Sequence, residues 1–166
     1  MVRIGMILTV ALCLVAAPAL AADPALSDAA NAAFLKANAL KPGVVVRPSG
    51  LQYRIIENGF GQHPGPYDTV TVDYKGSLIN GKVFDASEPG MPAQLDASKV
   101  IDGWHEALSI MRIGDHWQLV IPAALGYGGR AVGNGLIPAN QVLVFDMHLE
   151  ATEPPPHKDD KDDDSH

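Results

Sequence analysis

Tyr74, Phe84, Trp104, Tyr127 and Phe145 stand out in a 166-residue chain that has only two Trp, four Tyr and four Phe. Each falls at a strand end, at a helix start or in a long loop, and Asp85 follows Phe84 directly. Taken singly, each aromatic reads best as core and Asp85 as a turn or capping residue. Taken together they are an apolar and aromatic set with few polar members, either a small core or the lining of a binding pocket, and only their full pattern is informative.

Covalent and metal chemistry find no such support. There is no G-x-S-x-G, and the single cysteine, Cys13, lies in an N-terminal apolar run. His63, His105, His116 and His148 are scattered, without an H-E-x-x-H or an i, i+4 pair. "GYGGRAVGNG" lacks the Lys-Ser/Thr ending of a phosphate-binding loop. No cofactor and no metal site in the folded part are expected. His157, His166 and the Asp residues around them read as a solvated tail.

The elements that would position the aromatic set can be traced by period. "SDAANAAFLKANAL" (27–40) predicts a short helix capped by Ser27, with Ala30, Phe34 and Ala37 on one face, and "KPG" ends it. "VVV" (44–46) and "LQYRII" (51–56) predict strands. In "TVTVDYKGSLI" (69–79), Val70, Val72 and Tyr74 alternate with Thr71, Asp73 and Lys75, as in a half-buried strand. "NG" at 80–81 predicts a hairpin into "KVFDAS". "SEPGMPA" reads as a loop. "VIDGWHEAL" (100–108) predicts a helix that Asp102 caps. Strands at "DHWQLVIP" and "VLVFDMHLEAT" flank a glycine-rich loop over 123–141, longer than a compact domain needs and therefore functional or disordered. Many strands, hairpin-length links and one central helix predict the α+β class, with an antiparallel sheet.

Residues 1–21 read as a signal peptide: Arg3, the apolar run "IGMILTVALCLV" and "ALA" before a cleavage point after Ala21. The expected chain is therefore exported, periplasmic or secreted, with no membrane segment after cleavage. Residues 22–43 form an N-terminal helix and linker, 44–152 the domain, and 153–166 a disordered acidic tail. The net charge of −7 becomes −8 once Arg3 is removed, which argues against a nucleic-acid partner.

The ordered pattern resembles the FKBP-type peptidyl-prolyl cis-trans isomerases, the immunophilins that bind macrolides. The matching stretches are "SGLQY" (49–53), "VTVDYKGSLINGKVFDAS" (70–87), "VIDGWHEAL" (100–108), "IPAALGYGG" (121–129) and "GLIPANQVLVFDMHLE" (135–150), and the resemblance spans roughly 44–151. The N-terminal helix and "KPGVVV" look like the exported bacterial branch. The resemblance implies a five- to six-stranded antiparallel sheet curled around one short helix, with the substrate groove between them. It implies Trp104 as the pocket floor, with Tyr74, Phe84, Val100, Ile137 and Phe145 as walls. It further implies that the Ile101 backbone N–H and the Tyr127 hydroxyl bind carbonyl oxygens, with Asp85 as a polar contact near the imide.

Three departures bear on specificity. The segment from Asp85 to Val100 is short, and Ala93 stands where small eukaryotic members often carry another aromatic, which opens one wall. Gly126 replaces the usual Ala before Tyr127, which loosens that loop. "GRAVGNG" differs in length from some members. The implied partners are proline-containing unfolded or partly folded polypeptides, with macrolides as inhibitors. The alternative is a chaperone-like binding module with little turnover. A helix of about four turns favours a monomer, with a dimer as the other outcome.

Overall fold

The structure, a computed structural model, describes residues 23–156. The expected signal peptide and the acidic run from His157 lie outside the described residues. The first helix, α1 (Asp28–Ala39), begins where expected: the Ser27 hydroxyl accepts from Ala30 N at 3.2 Å. The strands that follow are β1 (Val44–Val46), β2 (Gln52–Glu57), β3 (Thr69–Leu78), β4 (Val83–Ala86) and β5 (Ala93–Asp96). Then come α2 (Asp102–Leu108), β6 (His116–Ile121) and β7 (Leu143–Glu153).

All pairings are antiparallel, in the order β1-β2-β6-β7-β3-β4, with β5 also on β3. β4 pairs with Lys75–Ser77 and β5 with Thr69–Val72, so the two share one edge of β3. The sheet is thus six positions wide but seven-stranded. β5 lies in a stretch that the sequence reads partly as loop, because "MPAQLD" is too short and too proline-flanked to show a period. Irregular register at Ile55/Glu57, Thr71/Val72 and Gly76/Ser77 adds bend and twist, which curls the sheet.

The concave face carries the core. Val70, Val72 and Leu78 of β3 meet Leu119 and Ile121 of β6 and Leu143, Met147 and Leu149 of β7 beneath Ala107 and Leu108 of α2. Each of these Val, Leu, Ile and Met side chains contributes roughly 1.5–3 kcal/mol by leaving water. Gly103 lets α2 approach, since a Cβ there would sit 2.5 Å from Ile121 Cγ2. Asp102 does not cap this helix. Ile101 is the N-cap, without a side-chain bond, and Asp102 is the first helical residue, where its charge suits the positive end of the helix.

α1 lies on the opposite face, and it docks through amides rather than the predicted apolar stripe. Asn31 and Asn38 are its buried residues, Ala30 and Phe34 are half-buried, and Ala37 is exposed. Asn31 Oδ1 accepts from Val142 N at 2.9 Å, and its Nδ2 donates to Gln141 Oε1 at 3.2 Å. Asn38 Nδ2 donates to Gln52 Oε1 at 2.9 Å, while Gln52 Nε2 donates to Leu35 O at 3.0 Å. At the other end, Glu153 is no tail residue: it closes β7 opposite Thr69.

Candidate functional site

Four rings form a box between α2 and the sheet. Trp104, the third residue of α2, meets Tyr74 edge-on at 5.1 Å between centroids and Phe145 edge-on at 5.2 Å. Phe84 meets Phe145 edge-on at 5.5 Å. Edge-to-face packing places the positive rim of one ring against the negative face of the next, a preferred arrangement for aromatic pairs. β3 supplies Tyr74, β4 Phe84, and β7 Phe145, so adjacent strands bring the three rings together. Gly76 makes this possible. It is the cross-strand partner of both Phe145 and Asp85, and a Cβ on it would lie 2.6 Å from Phe145 Cε1 and 2.7 Å from Phe84 Cζ.

The box opens into a cavity of about 260 Å³ lined by Tyr74, Phe84, Asp85, Val100, Ile101, Trp104, Tyr127 and Phe145. Eight of the nine residues picked from sequence therefore meet in one hollow. The ninth, Ile137, packs into an adjoining hollow of about 170 Å³ that shares Phe84, Asp85 and Tyr127. Two lining residues escaped sequence reasoning, Leu95 and Lys99. Leu95 sits on β5 and supplies the wall that Ala93 seemed to leave open. The signal was available in the alternation of "AQLD", once that segment is recognised as a strand.

Polar groups gather at the mouth. The Tyr74 hydroxyl donates to Asp85 Oδ2 at 2.8 Å. Burial, then this bond and the carboxylate charge, push the Tyr74 hydroxyl up to about 12. Burial, then the nearby Asp85 charge, also raises the Tyr127 hydroxyl. Both phenols consequently remain protonated donors across physiological pH. Ile101 precedes α2 with extended backbone (φ −62°, ψ 153°), and its carbonyl accepts from Trp104 N and His105 N. Among the described residues, its own N–H finds no protein acceptor. Trp104 Nε1 is buried and likewise without a partner among the described residues.

Tyr127 rides on a loop that is pinned despite Gly126. A 3₁₀ turn at Ala123–Leu125 precedes it, and the Gly126 and Gly128 N–H groups both donate to Ala123 O, at 3.0 and 2.8 Å. Asn140 N donates to Gly128 O at 2.8 Å, which ties the loop's far end back to its start. The expected loosening at Gly126 meets these bonds and the Leu143 side chain packed against it.

This arrangement has measured relatives. The family described as FKBP-type peptidyl-prolyl cis-trans isomerase matches residues 61–150, and the domain described as amino-terminal to such isomerases matches residues 17–55. The "Outer membrane protein MIP" of Legionella longbeachae is 55% identical over 118 residues, 70% of this chain and 50% of that protein. The crystal structure of FkpA from Escherichia coli has a TM-score of 0.74 at 40% identity, covering 78% of this chain and 60% of that one. A peptidyl-prolyl cis-trans isomerase from Pseudomonas syringae pv. tomato has a TM-score of 0.71 at 35% identity, covering 76% of this chain and 92% of that one. The chain spans about half the length of the curated relatives it matches.

Proposed function

The chain belongs to the FKBP-type peptidyl-prolyl cis-trans isomerase family, and from that premise we propose that it accelerates rotation about X–Pro bonds in unfolded or partly folded exported polypeptides. The carrying observation is the ring box of Tyr74, Phe84, Trp104 and Phe145 around one hollow, with phenol donors and a carboxylate at its mouth.

Rotation crosses a barrier of roughly 18–20 kcal/mol because the twisted amide loses its resonance. Uncatalysed exchange takes on the order of tens to hundreds of seconds. No bond to carbon is made or broken, so no nucleophile is required. A catalyst has to favour the twisted amide over both planar forms. The apolar walls do so by removing water, since the twisted amide is less dipolar and loses less hydration. In this proposal Trp104 is the floor under the prolyl ring, with Tyr74, Phe84, Val100 and Phe145 as walls and Ile137 behind the mouth. The Tyr127 hydroxyl and the Ile101 N–H hold the flanking carbonyls in a rotated geometry. Asp85 takes no proton, because none has to leave. It accepts from Tyr74 and sets the field at the imide. Macrolides that present a carbonyl pair beside an apolar ring would compete for the same hollow.

The test is cis-to-trans exchange of a short X–Pro peptide followed by NMR, with and without the protein. Acceleration over buffer, lost with Trp104→Leu while the protein stays folded, is expected. A rate equal to buffer would overturn the isomerase reading and leave a client-holding domain, read out as suppressed aggregation of an unfolded protein. The periplasm is the proposed compartment, supported by the N-terminal 21 residues and by the similarity to a relative named an outer membrane protein.

A further inference from the structure

The convex face of the sheet carries a second row of chemistry-bearing side chains, on the other side of β3 from the ring box. Glu57, His116, His148 and Asp73 are successive cross-strand partners on β2, β6, β7 and β3. The neighbouring row places Arg54, Gln118, Asp146 and Lys75 side by side. The two imidazoles are the described pair of His rings in contact, with centroids 6.0 Å apart and planes at 51°. They border a groove of about 410 Å³ that also reaches Asp73, Asp146 and Ser87.

We propose that His116 and His148 form a two-imidazole chelate for a borderline divalent transition-metal ion, Cu²⁺ ahead of Zn²⁺. A ligating ring needs one free nitrogen, and a neighbour on its other nitrogen helps to orient it. His116 Nε2 lies 2.7 Å from Asp146 Oδ1, and His148 Nδ1 lies 4.0 Å from Glu150 Oε1. Asp146 thus takes His116 Nε2 and leaves Nδ1 to ligate, whereas Glu150 stands beyond hydrogen-bond distance and leaves either nitrogen of His148 open to the ion. A metal–nitrogen bond of about 2.1 Å puts each ring centre roughly 3.2 Å from the ion, so rings sharing one ion stand about 5–6.4 Å apart. The observed separation falls in that interval.

Charge favours a cation. Four carboxylates, those of Glu57, Asp73, Asp146 and Glu150, surround the pair, against two cations in the neighbouring row, Lys75 and Arg54. Imidazole selects against Mg²⁺ and Ca²⁺, and the order of divalent affinities places Cu²⁺ above Zn²⁺. Among the described residues no three such groups converge on one point, so solvent completes the coordination. The other two described histidines each hold a backbone carbonyl, His63 that of Met111 and His105 that of Ala97.

The test uses the untagged full chain carrying His157→Ala and His166→Ala, which removes the imidazoles beyond Glu153. Cu²⁺ should bind at one equivalent with electron-spin-resonance coupling to two nitrogens, and Zn²⁺ should compete while Mg²⁺ does not. His116→Ala and His148→Ala should each weaken Cu²⁺ binding more than tenfold, and the double variant should be little worse than either. Zn²⁺ should raise the melting temperature of the parent and not of the variants. Gln replacements at the same positions repeat the comparison if an Ala variant melts early. Undiminished binding in either single variant, or losses that multiply in the double variant as for two separate sites, would overturn the chelate.

Discussion

The Tyr74 hydroxyl donates a 2.8 Å hydrogen bond to Asp85 Oδ2 across the mouth of the ring box. Tyr74 also presents its ring edge-on to Trp104, so one side chain joins the apolar floor to the polar rim. Tyr74→Phe keeps the ring and deletes the bond. It should cost about 0.5–1.5 kcal/mol of stability at most and lower kcat/KM several-fold, because Asp85 loses the donor that orients it. Urea denaturation and peptide-exchange rates measured on the same preparation check both parts. An unchanged kcat/KM would detach this bond from turnover.

Burial of Tyr74, together with this bond, sets an alkaline signature. The folded Tyr74 hydroxyl titrates near 12 rather than 10. Its contribution to stability is therefore fully present below about pH 10 and is lost as pH rises towards 12. Ultraviolet phenolate titration should show Tyr74 ionising late, and Tyr74→Phe should remove that late component. Exchange activity should show no limb from either phenol between pH 6 and about 9.

Trp104→Ala empties the floor and removes two edge-on ring contacts. Large-to-small substitutions of this kind cost about 3–5 kcal/mol, so lost activity could reflect unfolding alone. Trp104→Leu retains an apolar core filler. It is expected to stay folded by circular dichroism while exchange activity falls more than tenfold.

Gly76→Ala places a methyl group where the Phe145 and Phe84 rings now sit, 2.6 and 2.7 Å from the new carbon. The rings must part, which opens the box. Overpacking of this kind costs roughly 1–3 kcal/mol. The expected result is a raised KM for X–Pro peptides together with a lower melting temperature. Gly81→Ala, in the hairpin turn, has open space around its Cβ and should affect stability through its φ of 84° without touching KM.

Asn31→Ala tests how α1 is held. It strips the Val142 N–H and Gln141 Oε1 of a partner, and an unsatisfied buried group costs about 1–3 kcal/mol. Denaturation should show that loss, while peptide exchange at 25 °C stays unchanged because α1 packs on the face opposite the ring box. A matching loss of exchange activity would show that the helix supports the pocket.

Much of this protein was written locally in its sequence. Alternation in "TVTVDY", the "NG" turn and the ring residues were legible because strand period, turn geometry and side-chain type are properties of neighbouring residues. The ordered motifs then singled out nine residues, eight of which line one hollow. The tertiary structure decided what depends on register between distant segments. Tyr74 meets Asp85 only because β3 and β4 pair as they do. β5 exists because β3 offers it an edge, which its own short period does not reveal. α1 docks by Asn31 and Asn38 because their amides can satisfy Val142 N, Gln141 and Gln52, partners that lie in other parts of the chain. His116 and His148, 32 positions apart in sequence, become neighbours by the β6–β7 ladder alone. Composition and period report what a residue is and which way it faces, whereas cross-strand pairing determines what it touches.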